Sequence, residues 1–194
     1  MKSVLISIQP KWVEKIVNGE KTIEVRKTAP QEVPFKAYIY CTKEKKQDDI
    51  IWAGVCGDRG KWNGRVIGEF ICDKITDISV VVKNCNEDYN HVYHNDECKG
   101  SCLTWKELQE YSKDKPLYGW HISDLKIYNN PKELSEFKTP SCEKSEKACG
   151  NCKWLVKINT PDVYECECYV EDGRPITRPP QSWCYVEELQ EGKK

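Results

Sequence analysis

The sequence predicts an α+β fold: a mixed sheet of short strands, short helices at its flank, and a small cysteine-rich insert near the C-terminus. The N-terminal forty residues alternate strand, short helix and strand signals. A central run, Gly64-Arg65-Val66-Ile67-Gly68-Glu69-Phe70-Ile71-Cys72-Asp73, is apolar enough for a buried strand, and Gly68 permits the bend or bulge that curved sheets and barrels need. From Thr139 the aliphatic residues thin out and cysteines take their place.

Taken in order, Val4, Ile6 and Ile8 alternate with Leu5, Ser7 and Gln9, as expected of a strand buried mostly on one face. Pro10 suits a first helical position, Val13, Ile16 and Val17 keep helical spacing, and Gly19 is a natural stop. In Gly19-Glu20-Lys21-Thr22-Ile23-Glu24-Val25-Arg26-Lys27 the side-chain period becomes two. Ile23 and Val25 then face a core, while Thr22, Glu24 and Arg26 share the opposite face with Lys21 at its mouth. That face is either a solvated row of ion pairs or the wall of a polar pocket. Lys11 and Trp12, at the start of the helix, either line the same pocket or, for Trp12, cap the core.

After Pro30 and Pro34, Lys36 to Cys41 reads as a strand, and Thr42 to Gly64 as a charged, Gly-rich excursion whose Trp52 and Trp62 pack the loop down or stack a base. Cys85, His91, His94, Cys98 and Cys102 fall in a polar, turn-rich stretch; the five could ligate a metal but lack a tight paired-cysteine turn. Thr104 with Glu107 forms a capping box, starting a helix through Tyr111. Tyr118 to Tyr128 reads as a strand in which Trp120 and Ile122, and after a register change Leu125 and Ile127, are candidates to face inward. Asn130-Pro131 is expected to open a short helix from Lys132 to Phe137, and Trp183, Tyr185 and Val186 a final strand returning to the core.

The chain has 194 residues, with 39% hydrophobic and 31% charged, which suits one domain with a core plus a small appendage. The expected division is 1–138 plus 176–194 for the main domain and 139–175 for the insert. A formal net charge of −1 gives no global attraction to nucleic acid, so any such binding must come from a local patch. The N-terminal apolar stretch is too short and interrupted for a signal peptide, and no membrane span is expected, so a cytoplasmic protein is the expectation. In that compartment twelve cysteines point to metal rather than to disulfides. Cys149-Gly150-Asn151-Cys152 is a CxxC turn. Cys142 upstream and one of Cys166 or Cys168 downstream complete a four-thiolate set for a structural zinc ion, with reduced thiols or disulfides as the alternatives. Arg178, Gln181 and Trp183 combine a fork of donors, an amide and a flat aromatic, equipment either for reading a nucleobase or for plugging the end of the fold.

Ser7-Ile8-Gln9-Pro10, then Gly19 to Lys27, then Gly64 to Phe70 together resemble the ASCH domain, named for activating signal cointegrator homology. The resemblance spans about residues 2 to 137 and resumes from Arg178 to Glu188, leaving the cysteine-rich piece as an insertion before the last strand. It implies a PUA-like β-barrel with a cleft, related to modules that bind RNA. Some small bacterial members similar at this stretch are amidohydrolases that remove the acetyl group from acetylated cytidine, using a Lys at the position of Lys21, a Thr three residues later and a distant Glu. Here Glu24 stands at the Thr position, where a carboxylate acts as a base on water and not as a hydroxyl nucleophile. Glu69 is the candidate for the distant Glu.

Three expectations follow. In the first, the cleft binds RNA, a nucleoside or a nucleotide through Lys11, Trp12, Lys21, Glu24, Arg26, Arg178, Gln181 and Trp183. In the second it hydrolyses a modified nucleoside, with Lys21, Glu24 and Glu69 catalytic. In the third the zinc insert is a protein-interaction surface.

Overall fold

The computed structural model describes residues 1–43, 62–79, 96–113, 115–140, 155–157, 164–166 and 173–189. The first elements follow the alternation of the sequence: β1 (Ser3–Ile8), α1 (Pro10–Val17), β2 (Ile23–Arg26) and β3 (Phe35–Cys41). Next come β4 (Val66–Cys72), β5 (Ile75–Asp77), a 3-10 turn at Asp96–Ser101 and α2 (Trp105–Ser112). β6 (Tyr118–His121) and β7 (Ser123–Lys132) are followed by a 3-10 turn at Leu134–Glu136, a short pair β8 (Leu155–Lys157) and β9 (Tyr164–Cys166), and β10 (Trp183–Val186).

A five-stranded sheet has the order β10-β1-β3-β4-β7, and a three-stranded sheet the order β2-β6-β5. β1 and β3 are parallel, and every other neighbouring pair is antiparallel. The expected barrel is therefore corrected: among the described residues the two sheets do not close on each other. The two sheets are linked at Ile122, which alone separates β6 from β7. The chain leaves the small sheet there, turns through Asp124 in a left-handed conformation (φ 47°), and enters the large one. The register change expected after Trp120 is a change of sheet.

The main core lies on one face of the large sheet. Val4, Ile6, Ile8, Ala37, Ile39, Ile67 and Phe70 pack there with Val13 and Ile16 of α1. Trp120 from the small sheet reaches into it and meets Phe35 edge to face, ring centroids 5.1 Å apart. β1 is buried on both faces rather than mostly on one, because Leu5 joins Tyr38, Tyr40, Val66, Phe137 and Val186 in a second cluster behind the sheet. Ile23 and Val25 face a third cluster with Ile78, Leu108 and Leu117, as the alternation requires. Trp62 packs against the main core; Trp52 lies outside the described residues.

Gly68 has the close-approach role expected of it: a Cβ there would collide with the carbonyl oxygen of Lys126 on β7, and the β4–β7 register shifts beside it. The helix expected over 132–137 is replaced by continuation of β7 and one 3-10 turn. β7 is an edge strand, where the missing N–H of Pro131 leaves no ladder bond unmade. The final strand returns as expected, with Ser3 opposite Val186 and Ile6 opposite Trp183.

Candidate functional site

Burial sets the β2 polar face apart from an ordinary solvated one. Lys21, Glu24 and Arg26 are 2%, 6% and 7% exposed, so the row of ion pairs that periodicity allowed lies inside the molecule. Three local features put them there. Gly19, with φ 76°, ends α1, and the Lys21 amide returns to the Lys15 carbonyl at 3.0 Å, aiming Lys21 inward. The 3-10 turn docks on β2 through the Thr22 amide and the Gly100 carbonyl, 2.8 Å. A Cβ on Gly100 would run into Thr22 Oγ1, so only glycine lets the turn come this near. The turn thereby presents the Ser101 carbonyl to Lys21 Nζ at 2.6 Å.

Glu24 lies between two cations. Arg26 Nη2 is 2.9 Å from Glu24 Oε1 and donates to the Ser7 carbonyl at 2.7 Å; Lys21 Nζ stands 3.4 Å from Glu24 Oε2. Arg26 Nε is buried without a hydrogen-bond partner, and Glu24 Oε2, equally buried, meets Lys21 Nζ as a 3.4 Å ion pair without a well-aligned hydrogen bond. Taking such groups out of water is costly unless their remaining valences are filled. Burial pulls the Lys21 ammonium below its ordinary pKa, against the opposing attraction of Glu24.

These residues line a cleft of about 750 Å³ whose walls also include Lys11, Trp12, Leu103, Glu107, Glu110, Tyr111 and the segment Pro179 to Gln181. Trp12 is half-buried, with Lys11 Nζ 4.5 Å and Lys21 Nζ 5.2 Å from its ring centroid. The Pro179–Gln181 wall is held by Ser7, whose hydroxyl donates to the Pro180 carbonyl (2.7 Å) and whose amide donates to the Ser182 carbonyl (2.9 Å). α2 is built as the capping box predicts, with Thr104 N and Oγ1 each 2.8 Å from Glu107 Oε2.

Of the residues singled out from the sequence, the cleft thus gathers Lys11, Trp12, Lys21, Glu24, Arg26 and Gln181. Three are placed elsewhere. Glu69 sits on the second-cluster side of the large sheet, opposite Tyr38, where Tyr128 Oη donates to it at 2.5 Å and Lys36 Nζ is 3.8 Å away. Alternation along β4 sends its side chain away from the main core. Trp183 does not line the cleft: its ring packs edge to face on Trp120 and Tyr185, and its Nε1 donates to Thr28 Oγ1 at 3.0 Å. Arg178 is exposed and outside the lining. Sequence reasoning missed Glu107, Glu110 and Tyr111 as cleft residues; only the position of the capping box, which exposes one face of α2, hinted at them.

Cys142, Cys149, Cys152 and Cys168 lie outside the described residues, as do Cys85, His91 and His94; Cys166 is described only as part of β9. Among the described residues no group of three or more His, Cys, Asp or Glu is placed to hold a metal. Cys98 is buried, and Cys102 Sγ donates to the Glu20 carbonyl at 3.3 Å. No helix among the described residues is long and apolar enough to cross a membrane.

Comparison with known proteins adds the following. The sequence matches the family model of the ASCH domain over residues 6–132, about two thirds of the chain. The crystal structure of ASCH from Zymomonas mobilis is similar at 19% identity and a TM-score of 0.46, covering 69% of this chain and 74% of that one. A point mutant of the same Zymomonas mobilis protein matches at 18% identity and a TM-score of 0.45, covering 69% and 75%. A search of the curated proteins finds no match.

Proposed function

The chain belongs to the ASCH domain family, and from that premise we propose that its cleft holds a nucleobase, presented by RNA or by a free or modified nucleoside. The observation that carries this is the buried Glu24–Arg26 pair lining the cleft, whose Arg26 Nε has no hydrogen-bond partner and whose Glu24 Oε2 is engaged by a long 3.4 Å ion pair to Lys21. An edge that donates one N–H and accepts another, as nucleobases do, suits both, and Trp12 at the side of the cleft supplies a face for stacking. The family's association with RNA binding supports the same reading.

A second reading, removal of an acyl group from an acetylated cytidine, is favoured by the lowered pKa of Lys21 beside Glu24. An amine that gives up its proton easily, next to a carboxylate, is suited to moving a proton to or from a bound water. Both readings are tested together. The chain is titrated with nucleosides, acetylated cytidine and short single-stranded RNA, with heat measured by calorimetry and products by chromatography, alongside Glu24→Gln checked for folding by circular dichroism. Saturable binding that weakens roughly ten-fold or more in the variant, about 1.4 kcal/mol, is the expected result. Release of acetate by the wild type alone selects the hydrolytic reading, and absence of binding by every probe overturns both.

A further inference from the structure

Resting on the nucleobase reading, we propose that the cleft selects against phosphate: it takes the uncharged nucleoside in preference to the 5′-phosphorylated form, and Glu107 and Glu110 of α2 set that preference. The charges around the cleft carry the argument. Its lining has three cations, Lys11, Lys21 and Arg26, and three carboxylates, Glu24, Glu107 and Glu110. Phosphate recognition depends on clustered cations that are not already neutralised.

Here the two inner cations already share the Glu24 carboxylate. Lys21 Nζ is shared between the Ser101 carbonyl at 2.6 Å and Glu24, and Arg26 Nη2 between the Ser7 carbonyl at 2.7 Å and Glu24. Lys11 is exposed beside Trp12, and Glu107, which also lines the cleft, is near enough for the Lys11 ammonium to act on its carboxylate. Hydrogen bonds from the Thr104 amide and hydroxyl keep Glu107 ionised, its pKa below the ordinary value. A phosphate reaching the mouth of the cleft therefore meets two carboxylates on α2 and no cluster of free cations. A neutral ribose meets no such opposition.

The test compares binding of adenosine, cytidine, guanosine and uridine with that of their 5′-monophosphates, for the full chain and for the double variant Glu107→Gln, Glu110→Gln. Gln at this position still closes the capping box, so the start of α2 is retained. The wild type is expected to bind a nucleoside more tightly than its monophosphate. The ratio should narrow roughly three- to ten-fold in the double variant, and narrow again at high salt, because Glu110 is exposed and Glu107 only half-buried. Equal or tighter binding of the monophosphate by the wild type overturns the proposal, as does a ratio that the double variant leaves unmoved. Failure of all four nucleosides to bind overturns the nucleobase reading and takes this inference with it, an outcome distinct from bound nucleosides without discrimination.

Discussion

Glu24 on β2 and Glu69 on β4 are both strand carboxylates beside a lysine, yet the fold uses them differently. The Glu69 cluster is closed on itself. Tyr128 donates to one oxygen, Lys36 stands near the other, and Lys36 also pairs with Glu188 at 2.7 Å. The amide of Leu189 donates to Tyr38 Oη nearby, so this cluster fastens the C-terminal segment behind the large sheet. The Glu24 cluster is more deeply buried, its carboxylate side chain 7% exposed against 18% for Glu69, and still keeps a donor, Arg26 Nε, without a hydrogen-bond partner. A satisfied polar cluster holds a fold together; a buried one with an unfilled donor carries a desolvation cost that a suitable hydrogen-bond partner would relieve.

The largest effect expected from this contrast is in stability. Glu24→Ala leaves the Lys21 and Arg26 charges buried without their shared counterion and should cost about 3–5 kcal/mol by chemical denaturation. Tyr128→Phe removes one hydrogen bond to a carboxylate on the closed side and should cost about 1–2 kcal/mol. Similar costs for the two would erase the distinction between the clusters.

The smallest effect is a difference in sign with pH. Burial outweighs Glu24 and puts Lys21 below the ordinary 10.5. Between its folded value and 10.5 the unfolded chain holds a proton that the folded chain lacks, so the Lys21 contribution to stability rises with pH in that window. For Lys36, burial pulls downward but Glu188, Tyr38 and Glu69 outweigh it, raising the pKa above 10.5. Its contribution is complete below 10.5 and is lost as pH climbs through the folded value. Unfolding free energies of wild type, Lys21→Met and Lys36→Met across the alkaline range test this. The wild-type advantage should grow with pH against the first and shrink against the second; the same slope against both would break the comparison.

Much of the site was legible because it depends on local pattern. The turn at Gly19, the alternation through Arg26 and the capping box at Thr104 each need only a few neighbouring residues, and each folded as read. Glu69 and Trp183 were misplaced because period two says that a strand has two faces, not which of them looks into a given cleft. The helix expected after Pro131 failed similarly: proline is as compatible with an edge strand as with a helix start, and only the sheet order decides.

By itself the sequence determined which segments became strands and helices around the site, that Lys21, Glu24 and Arg26 would be neighbours, and that the last strand would return to the core. Those facts follow from side-chain period, caps and breakers, which act over a few residues. Tertiary structure alone decided that the polar face of β2 is buried, that α2 walls the cleft while Arg178 and Trp183 stay outside its lining, and that Trp120 passes between two sheets that do not close. Burial and an unfilled donor depend on which distant segments pack together. The Gly100 carbonyl meeting Thr22, and Ser7 holding Pro180 from 173 residues away, are contacts that no local pattern encodes.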